Sequence, residues 1–151
     1  EGIDYAWAHG AVAVLAAGNT NLLGLGSSNY GDLNALVVGA TGPQDEVASY
    51  SSPLGNAKWA IMAPGGAGGS TPETDVYSTF WSSGKTNQYK ALAGTSMAAP
   101  HVTGAMAVLI GKGYTPEAAV ARLLETANHE VSCGGGADAC QGRLDLAKAV
   151  S

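Results

Sequence analysis

The sequence has little charge and few basic residues. Only 13% of its 151 residues are charged, and seven lysines and arginines face twelve acidic residues, which gives a formal net charge of −5. Without a basic cluster, we expect no binding to nucleic acids or to anionic membranes. No apolar run reaches the roughly 20 residues that a membrane-spanning helix needs, so no membrane association is expected.

Cysteine is almost absent, since Cys133 and Cys140 are the only two and both lie in the segment CGGGADAC. A zinc site needs more ligands at closer spacing than this segment offers. The even number and the short glycine-rich interval favour a local disulfide, with two free surface thiols as the alternative. A disulfide would indicate an oxidising compartment, most simply the outside of the cell.

Apolar residues make up 46% of the chain, enough for one globular domain with a sizeable core. Three short apolar runs without alternation predict strands that are buried on both faces, and a fourth strand is predicted to be more exposed. The four segments are AVAVLAAG at 11–18, ALVVGAT at 35–41, WAIMAPG at 59–65 and DVYSTF at 75–80.

Helical patterns are predicted before, between and after these strands. They cover EGIDYAWAHG at 1–10, the residues from Ser96 to about Ile110, TPEAAVARLLETANH from Thr115, and LDLAKAV at 144–150, which Asp145 would cap. Thr115 and Asp145 are suitable N-caps, and Pro116 suits a first helical position. Pro100 should be tolerated only in the first turn of its helix. Strands that alternate with helices predict an α/β fold with a mostly parallel sheet covered on both faces.

The segment AGTSMAAPHVTG places Ser96 where a helix is predicted to begin. A serine at that position is usually only an N-cap, and its hydroxyl is a weak nucleophile without a base. His101 follows five residues later, which leaves the two side chains about 140° apart around a helix, so His101 is expected to be a packed helix residue. A helix N-terminus does offer a free N–H and a dipole that favours negative charge, as one donor of an oxyanion hole would need.

The segment GTSMAAPHVTGAMAVL resembles the nucleophile motif of the subtilases, the subtilisin-like serine proteases. Further segments resemble landmarks of this family in the family's order, and together they cover nearly the whole chain: AVAVLAAGN, ASYSS at 48–52, MAPG at 62–65 and GRLDLAKAV at 142–150. The resemblance implies an α/β fold, the C-terminal half of a subtilisin-like three-layer domain with a mostly parallel sheet flanked by helices.

By this resemblance, Ser96 would be the nucleophile, and the Asn19 side-chain amide would form an oxyanion hole with the Ser96 backbone N–H. Ala16, Ala17 and Gly18 would form the wall of a pocket for the substrate side chain that precedes the scissile bond. Without the resemblance, Gly-Asn after a strand is an ordinary turn.

Two features of the family are missing from the chain. The family's catalytic triad is Asp, His and Ser in chain order, and neither of the first two motifs has a match; His9, His101 and His129 all lie in other contexts. Many members also have an Asp shortly before APG that helps to bind a cation, where this chain has Ala60. The resemblance therefore predicts that residues 1–151 are a partial peptidase domain without its N-terminal half, and that no metal or cofactor is bound. The start at Glu1 suggests a processed or truncated product.

The predicted function of the complete protein is that of a secreted endopeptidase, which hydrolyses polypeptides through an acyl-enzyme on Ser96. The chain alone is expected to be inactive, and its expected partner is the missing N-terminal half. Because the cut would leave a strand edge uncovered, a homodimer of the fragment is also possible. The alternatives are a non-catalytic product of proteolysis or truncation, and a subtilase-like pseudoenzyme that acts as a binding module. Intact Ser96 and Asn19 favour the enzyme over the pseudoenzyme.

Overall fold

The computed structural model describes residues 1–20, 29–134 and 139–151 of the chain. Its strands are β1 Ala13–Ala16, β2 Ala35–Thr41, β3 Trp59–Pro64, β4 Val76–Ser82, β5 Lys85–Leu92 and β6 Cys140–Arg143. Its helices are α1 Gly2–Ala8, α2 Thr95–Gly111, α3 Pro116–Glu125 and α4 Leu146–Val150. Four strands form a parallel sheet in the order β1-β2-β3-β6, and β4 and β5 form a separate antiparallel pair.

Strand β2 lies inside the sheet and is buried along its whole length. Leu36 and Val38 belong to the core on one side of the sheet, whereas Val37 belongs to the core on the other. Successive side chains of a strand point to opposite faces, so both faces of β2 need apolar residues. The prediction that this run is a fully buried strand is confirmed.

Helix α2, the longest of the described helices, covers one face of the sheet. Val102 and Leu109 are fully buried in the core on that face. Helix α1 contacts the same core, where the ring centroids of Trp7 and Trp59 lie 4.9 Å apart. The predicted α/β class, a mostly parallel sheet flanked by helices, is confirmed.

The opposite face of the sheet is covered by chain without a described helix. Leu54 and Ala57 pack there against a cluster that includes Met62. Cys133 and Cys140 pack against the same cluster and form a disulfide, with the sulfur atoms 2.06 Å apart. The structure thus contains the predicted bond, and it lies beside the second core.

Strand β1 is less buried than the sequence predicts. Its four residues, Ala13–Ala16, are half-buried or exposed although all are apolar. The cause is position, because β1 is the first strand of the described sheet and pairs on one side with β2. The expectation that this strand is buried on both faces is therefore wrong for the described chain.

The hairpin of β4 and β5 differs from the prediction as well. The fourth predicted strand continues to Ser82 and pairs with β5, which sequence patterns do not reveal. It does not join the parallel sheet. The segment KTNQYKAL of β5 is polar, and it forms a strand because it pairs with β4 rather than because of its own hydrophobic period.

Helix α2 also tolerates Pro100 deeper than predicted. The helix begins at Thr95, so Pro100 is its sixth residue and lies beyond the first turn. Proline has no N–H to donate to the carbonyl of Ser96, four residues earlier. Burial of Ala98 and Val102 on either side of the proline holds the helix in place despite that missing bond.

The predicted N-caps are confirmed. The Thr115 hydroxyl accepts the N–H of Ala118 at 3.2 Å, and Pro116 is the first residue of α3. The Asp145 carboxylate accepts the N–H of Lys148 at 3.0 Å, which fixes the start of α4. Such bonds satisfy first-turn N–H groups that have no acceptor within the helix.

The disulfide can be checked chemically. We expect thiol titration of the denatured, unreduced protein to find no free cysteine, and reduction to release two. Replacing both cysteines by serine should lower the free energy of unfolding by about 2–3 kcal/mol, because the unfolded chain is no longer closed into a loop. The double-serine variant, as a control, should be insensitive to reductant. Two reactive thiols before reduction would contradict the bond.

Candidate active site

Ser96 is the second residue of α2, and its side chain is exposed at the N-terminus of the helix. The helix begins after Gly94, whose carbonyl accepts the N–H groups of Met97 and Ala98 at 2.9 and 3.2 Å. The first N–H groups of an α-helix lack an acceptor within the helix, and the helix dipole adds a positive potential there. The backbone around Ser96 can therefore stabilise an anion.

Asn19 follows the end of β1 and reaches the start of the same helix. Its Oδ1 accepts the backbone N–H of Thr95 and the Thr95 hydroxyl, both at 2.9 Å. Because two donors occupy the oxygen, the orientation of the amide is determined and its Nδ2 can donate to a further acceptor. A Cβ atom on Gly94 would lie 3.1 Å from Asn19 Nδ2 and 3.7 Å from Ser96 N, so these two donors flank the same glycine.

Thr95 joins the loop of Asn19 to the helix, and sequence reasoning missed it. The residue is fully buried, and its hydroxyl accepts the N–H of Gly18 at 3.1 Å while it donates to Asn19. Gly18 has a φ of 106°, a left-handed conformation that glycine adopts readily. The available signal was the position of Thr95 directly before Ser96 in the motif GTSM.

The segment 48–52, ASYSS, supports the Asn19 loop from another direction. The Ser52 hydroxyl accepts the N–H of Thr20 at 3.0 Å, and the Ser52 N–H donates to the Gly18 carbonyl at 2.9 Å. The Ser51 hydroxyl accepts the N–H of Ala40 in β2 at 3.0 Å. Gly18 and Thr20, on either side of Asn19, thus both form hydrogen bonds with Ser52, and the same segment is bonded to the sheet through Ser51.

The glycine-rich loop after β3 is closed by Asp75. Its carboxylate accepts the N–H groups of Gly68 at 2.7 Å, Gly69 at 3.2 Å and Ser70 at 2.7 Å. Burial raises the pKa of Asp75, but these backbone bonds lower it by more, so the net shift is below the ordinary value. The carboxylate is ionised at neutral pH and is already engaged within its own loop.

A cleft of about 460 Å³ opens beside Ser96. Its walls come from the β4–β5 hairpin and the start of α2: Val76, Tyr77, Ser78, Thr79, Lys90, Leu92, Ser96, Met97, Pro100 and His101. Ala16, Ala17 and Gly18 are not among these residues. They lie at the carboxyl end of β1, where the Ala17 N–H donates to the carbonyl of Val38 at 2.9 Å.

The histidines do not pair with Ser96. His101 lines the cleft, but its Nδ1 lies 2.9 Å from the carbonyl of Met97, one turn earlier on α2. The other two contact different carbonyls: His9 Nδ1 lies 2.8 Å from that of Tyr5, and His129 Nδ1 lies 2.6 Å from that of Gln141. His101 lies on the helix, as expected, but it is exposed at the cleft, so the expectation that it is a packed residue is wrong.

No metal-binding cluster of three or more His, Cys, Asp or Glu side chains occurs in residues 1–20, 29–134 and 139–151. Ala60 is fully buried in β3. Within the same ranges, no helix has the length and hydrophobicity to cross a bilayer.

Comparison with known proteins gives the family of the chain. A family model described as the subtilase family matches residues 1–143. The chain belongs to the subtilase family. Thermitase from Thermoactinomyces vulgaris is 34% identical over 99% of this chain and 48% of its own length, and Subtilisin DY from Bacillus licheniformis is 38% identical over 81% and 40%.

A solved structure supports the same relationship at the level of the fold. A protease from Pseudoalteromonas arctica superimposes with a TM-score of 0.74 and 31% identity, over 98% of this chain and 44% of that protein. This subtilase chain therefore spans less than half the length of these relatives.

The role of the Thr95 hydroxyl can be tested by its removal. We expect Thr95→Val to lower the free energy of unfolding by about 1–3 kcal/mol, because the Gly18 N–H loses its acceptor and Asn19 Oδ1 loses one of its two donors. Thr95→Ser keeps the hydroxyl and is the matched control, with a loss below about 1 kcal/mol expected for one methyl group. Urea unfolding measures both. Equal losses in the two variants would show that the hydroxyl is not the stabilising group.

Proposed function

We propose that the complete protein is a secreted serine endopeptidase and that Ser96 is its nucleophile. The observation that carries the proposal is the pair of bonds from Thr95 to Asn19 Oδ1, which leaves an amide donor beside the N-terminus of the helix that bears Ser96. In acyl transfer, negative charge develops on the carbonyl oxygen of the substrate, and prealigned donors stabilise it. The Asn19 amide and the Ser96 backbone N–H are the two donors that we assign to this role.

In the proposed reaction, the Ser96 hydroxyl oxygen attacks the peptide carbonyl carbon, and its proton passes to a base. The C–N bond of the tetrahedral intermediate then breaks, and the amine leaves with that proton. Water hydrolyses the resulting ester and regenerates Ser96. We assign the base and the carboxylate that orients it to residues outside this chain, because Nδ1 of each of its three histidines faces a backbone carbonyl and none of the three bonds to Ser96.

Ala16, Ala17 and Gly18 are proposed as the wall of the pocket for the substrate side chain that precedes the scissile bond. They lie directly before Asn19 in the chain, and Ala16 is exposed at the end of β1. Their small side chains leave room for a polypeptide to approach the proposed oxyanion donors closely. A polypeptide is therefore the proposed substrate.

The proposed partner is an N-terminal half of the same domain, with the catalytic Asp and His. Two surfaces support this. Helix α2 contains no Asp, Glu, Lys or Arg, yet its face with Gly104, Val108 and Gly111 is exposed. The apolar strand β1 is only half-buried at the edge of the sheet. An uncovered apolar helix face and an open strand edge suit the remainder of a domain, and a second copy of the chain is the alternative occupant.

A non-catalytic product of proteolysis or truncation, or a pseudoenzyme that serves as a binding module, is the second candidate function. The absence of a matched Asp or His motif favours it for this chain alone. The arrangement of Asn19, Thr95 and Ser96 favours an enzyme for the complete protein, because a binding module has no need of an oriented amide beside a serine at a helix N-terminus.

The oxyanion role of Asn19 has a kinetic test in the complete protein. We expect Asn19→Ala to lower kcat about a hundredfold or more with KM little changed, because the lost donor meets a charge that exists only in the transition state; the magnitude is that of the corresponding substitution in a subtilisin. Asn34→Ala removes an amide that bonds to Asp4 and Lys58 and is the control, with no change expected. An unaltered kcat in Asn19→Ala would refute the role.

The chain alone should have no protease activity, because a serine without a base is a poor nucleophile. A serine-directed phosphonate should not label it, whereas the same chain combined with the N-terminal half should be labelled at Ser96. Ser96→Ala, combined in the same way with the N-terminal half, is the control and should not react.

The isolated chain should also dimerise or aggregate through its uncovered surfaces, which a measurement of its mass in solution will show. Rapid labelling of a monomeric isolated chain would show that a base exists within these residues.

A further inference from the structure

We propose that Tyr50 is a positioning residue of this site, which acts through the turn after β3 on the backbone that carries Ser96. The proposal rests on the proposed function. Tyr50 lies in the segment 48–52, directly before Ser51 and Ser52, which bond to the sheet and to the Asn19 loop respectively. Its side chain reaches the other half of the site, the backbone before α2.

The hydroxyl of Tyr50 bridges two carbonyl groups of the turn after β3. Its single proton is shared between the carbonyl of Gly65, at 2.8 Å, and that of Gly66, at 2.6 Å. The carbonyl of Gly65 also accepts the N–H of Gly94 at 2.9 Å. The hydroxyl and the residue that precedes α2 thus share one acceptor, so a shift of that carbonyl moves Gly94.

The packing around Gly65 leaves little freedom for such a shift. A Cβ atom on Gly65 would lie 2.5 Å from the Cβ of Ala40, 2.8 Å from the carbonyl oxygen of Gly94 and 3.1 Å from the Tyr50 hydroxyl. The N–H of Gly65 is in turn bonded to the carbonyl of Thr41, at the end of β2, at 2.9 Å. The turn is therefore held by hydrogen bonds to Thr41 of the sheet and to Gly94, and the Tyr50 hydroxyl adds a third contact.

Tyr50 keeps its proton over the pH range in which a serine can be activated by a base. Burial raises the pKa of Tyr50 to about 12, opposed by a hydrogen bond with the backbone of Gly94 and assisted by the charge of Asp75. The hydroxyl is thus a permanent donor. This neutral state matters because an ionised oxygen would repel the two carbonyl oxygens that the hydroxyl now bridges.

The two proposed oxyanion donors are then supported by different residues. Thr95 orients the amide of Asn19, whereas Tyr50 acts on Gly94, two residues before the Ser96 N–H. Donors contribute to catalysis only where they are held in place before the charge develops. Loss of the Tyr50 hydroxyl should therefore affect the transition state more than the binding of substrate.

The test uses the complete protein with Tyr50→Phe, which removes the hydroxyl and keeps the ring. We expect kcat per titrated active site to fall about 3- to 10-fold, as the loss of one hydrogen bond implies, with KM changed less than about twofold. Tyr114→Phe is the matched control, since Tyr114 is half-buried against the main core after α2, and it should leave both constants unchanged.

A peptide aldehyde that forms a tetrahedral adduct with Ser96 gives the second readout. Its inhibition constant should rise in Tyr50→Phe by the same factor as kcat falls, whereas the inhibition constant of the matching product peptide should not change. A structural role alone would lower the melting temperature and leave the aldehyde affinity of the folded enzyme as it was. Unchanged kcat and aldehyde affinity, or a variant that does not fold, would overturn the positioning role. A complete wild-type protein that hydrolyses no peptide would overturn the proposed function instead.

Discussion

The site depends on one oxygen atom, Oδ1 of Asn19, which accepts two hydrogen bonds from Thr95 across 76 positions of sequence. These bonds join the end of a strand to the start of a helix. They also fix the orientation of the amide. Its Oδ1 accepts both bonds from Thr95, so its Nδ2 is left to donate to another acceptor. If Asn19 or Thr95 moved, the loop after β1 and the first turn of α2 would no longer be bonded to each other at this point.

The remaining contacts of the site extend this junction in two directions. Ser52 binds the residues on either side of Asn19, and Ser51 binds β2. Tyr50, directly before them, reaches the turn that contacts Gly94. One short segment thus supports both proposed donors and is itself bonded to β2. Such mutual support is what a preorganised electrostatic site requires, because donors that are fixed in advance need no reorganisation when charge appears.

The elements that the sequence predicts best are those with a local cause. Strand β2 follows from an apolar run without alternation, and α3 follows from Thr115 and Pro116 at its start. Strand β5 was missed because its pairing with β4 forms it, and Thr95 was missed because its bonds join residues far apart in sequence. Ser96 by itself is indistinguishable from an N-cap. Only the resemblance to the subtilases pointed to Asn19 and Ser96 together, and the structure then brought both to Gly94.

In the proposed mechanism, stabilisation of charge and transfer of the proton belong to different parts of the domain. The proposed donors and the nucleophile are positioned by contacts within this chain, whereas the base is assigned to the N-terminal half. Serine proteases that lose a member of the triad retain part of their rate enhancement through the oxyanion hole and substrate binding, which shows that the two contributions are separable. The exposed apolar face of α2 begins at Gly104, about two turns after Ser96, so an N-terminal half that packs on it would also bring its base close to the nucleophile. Assembly and activation would then be the same event.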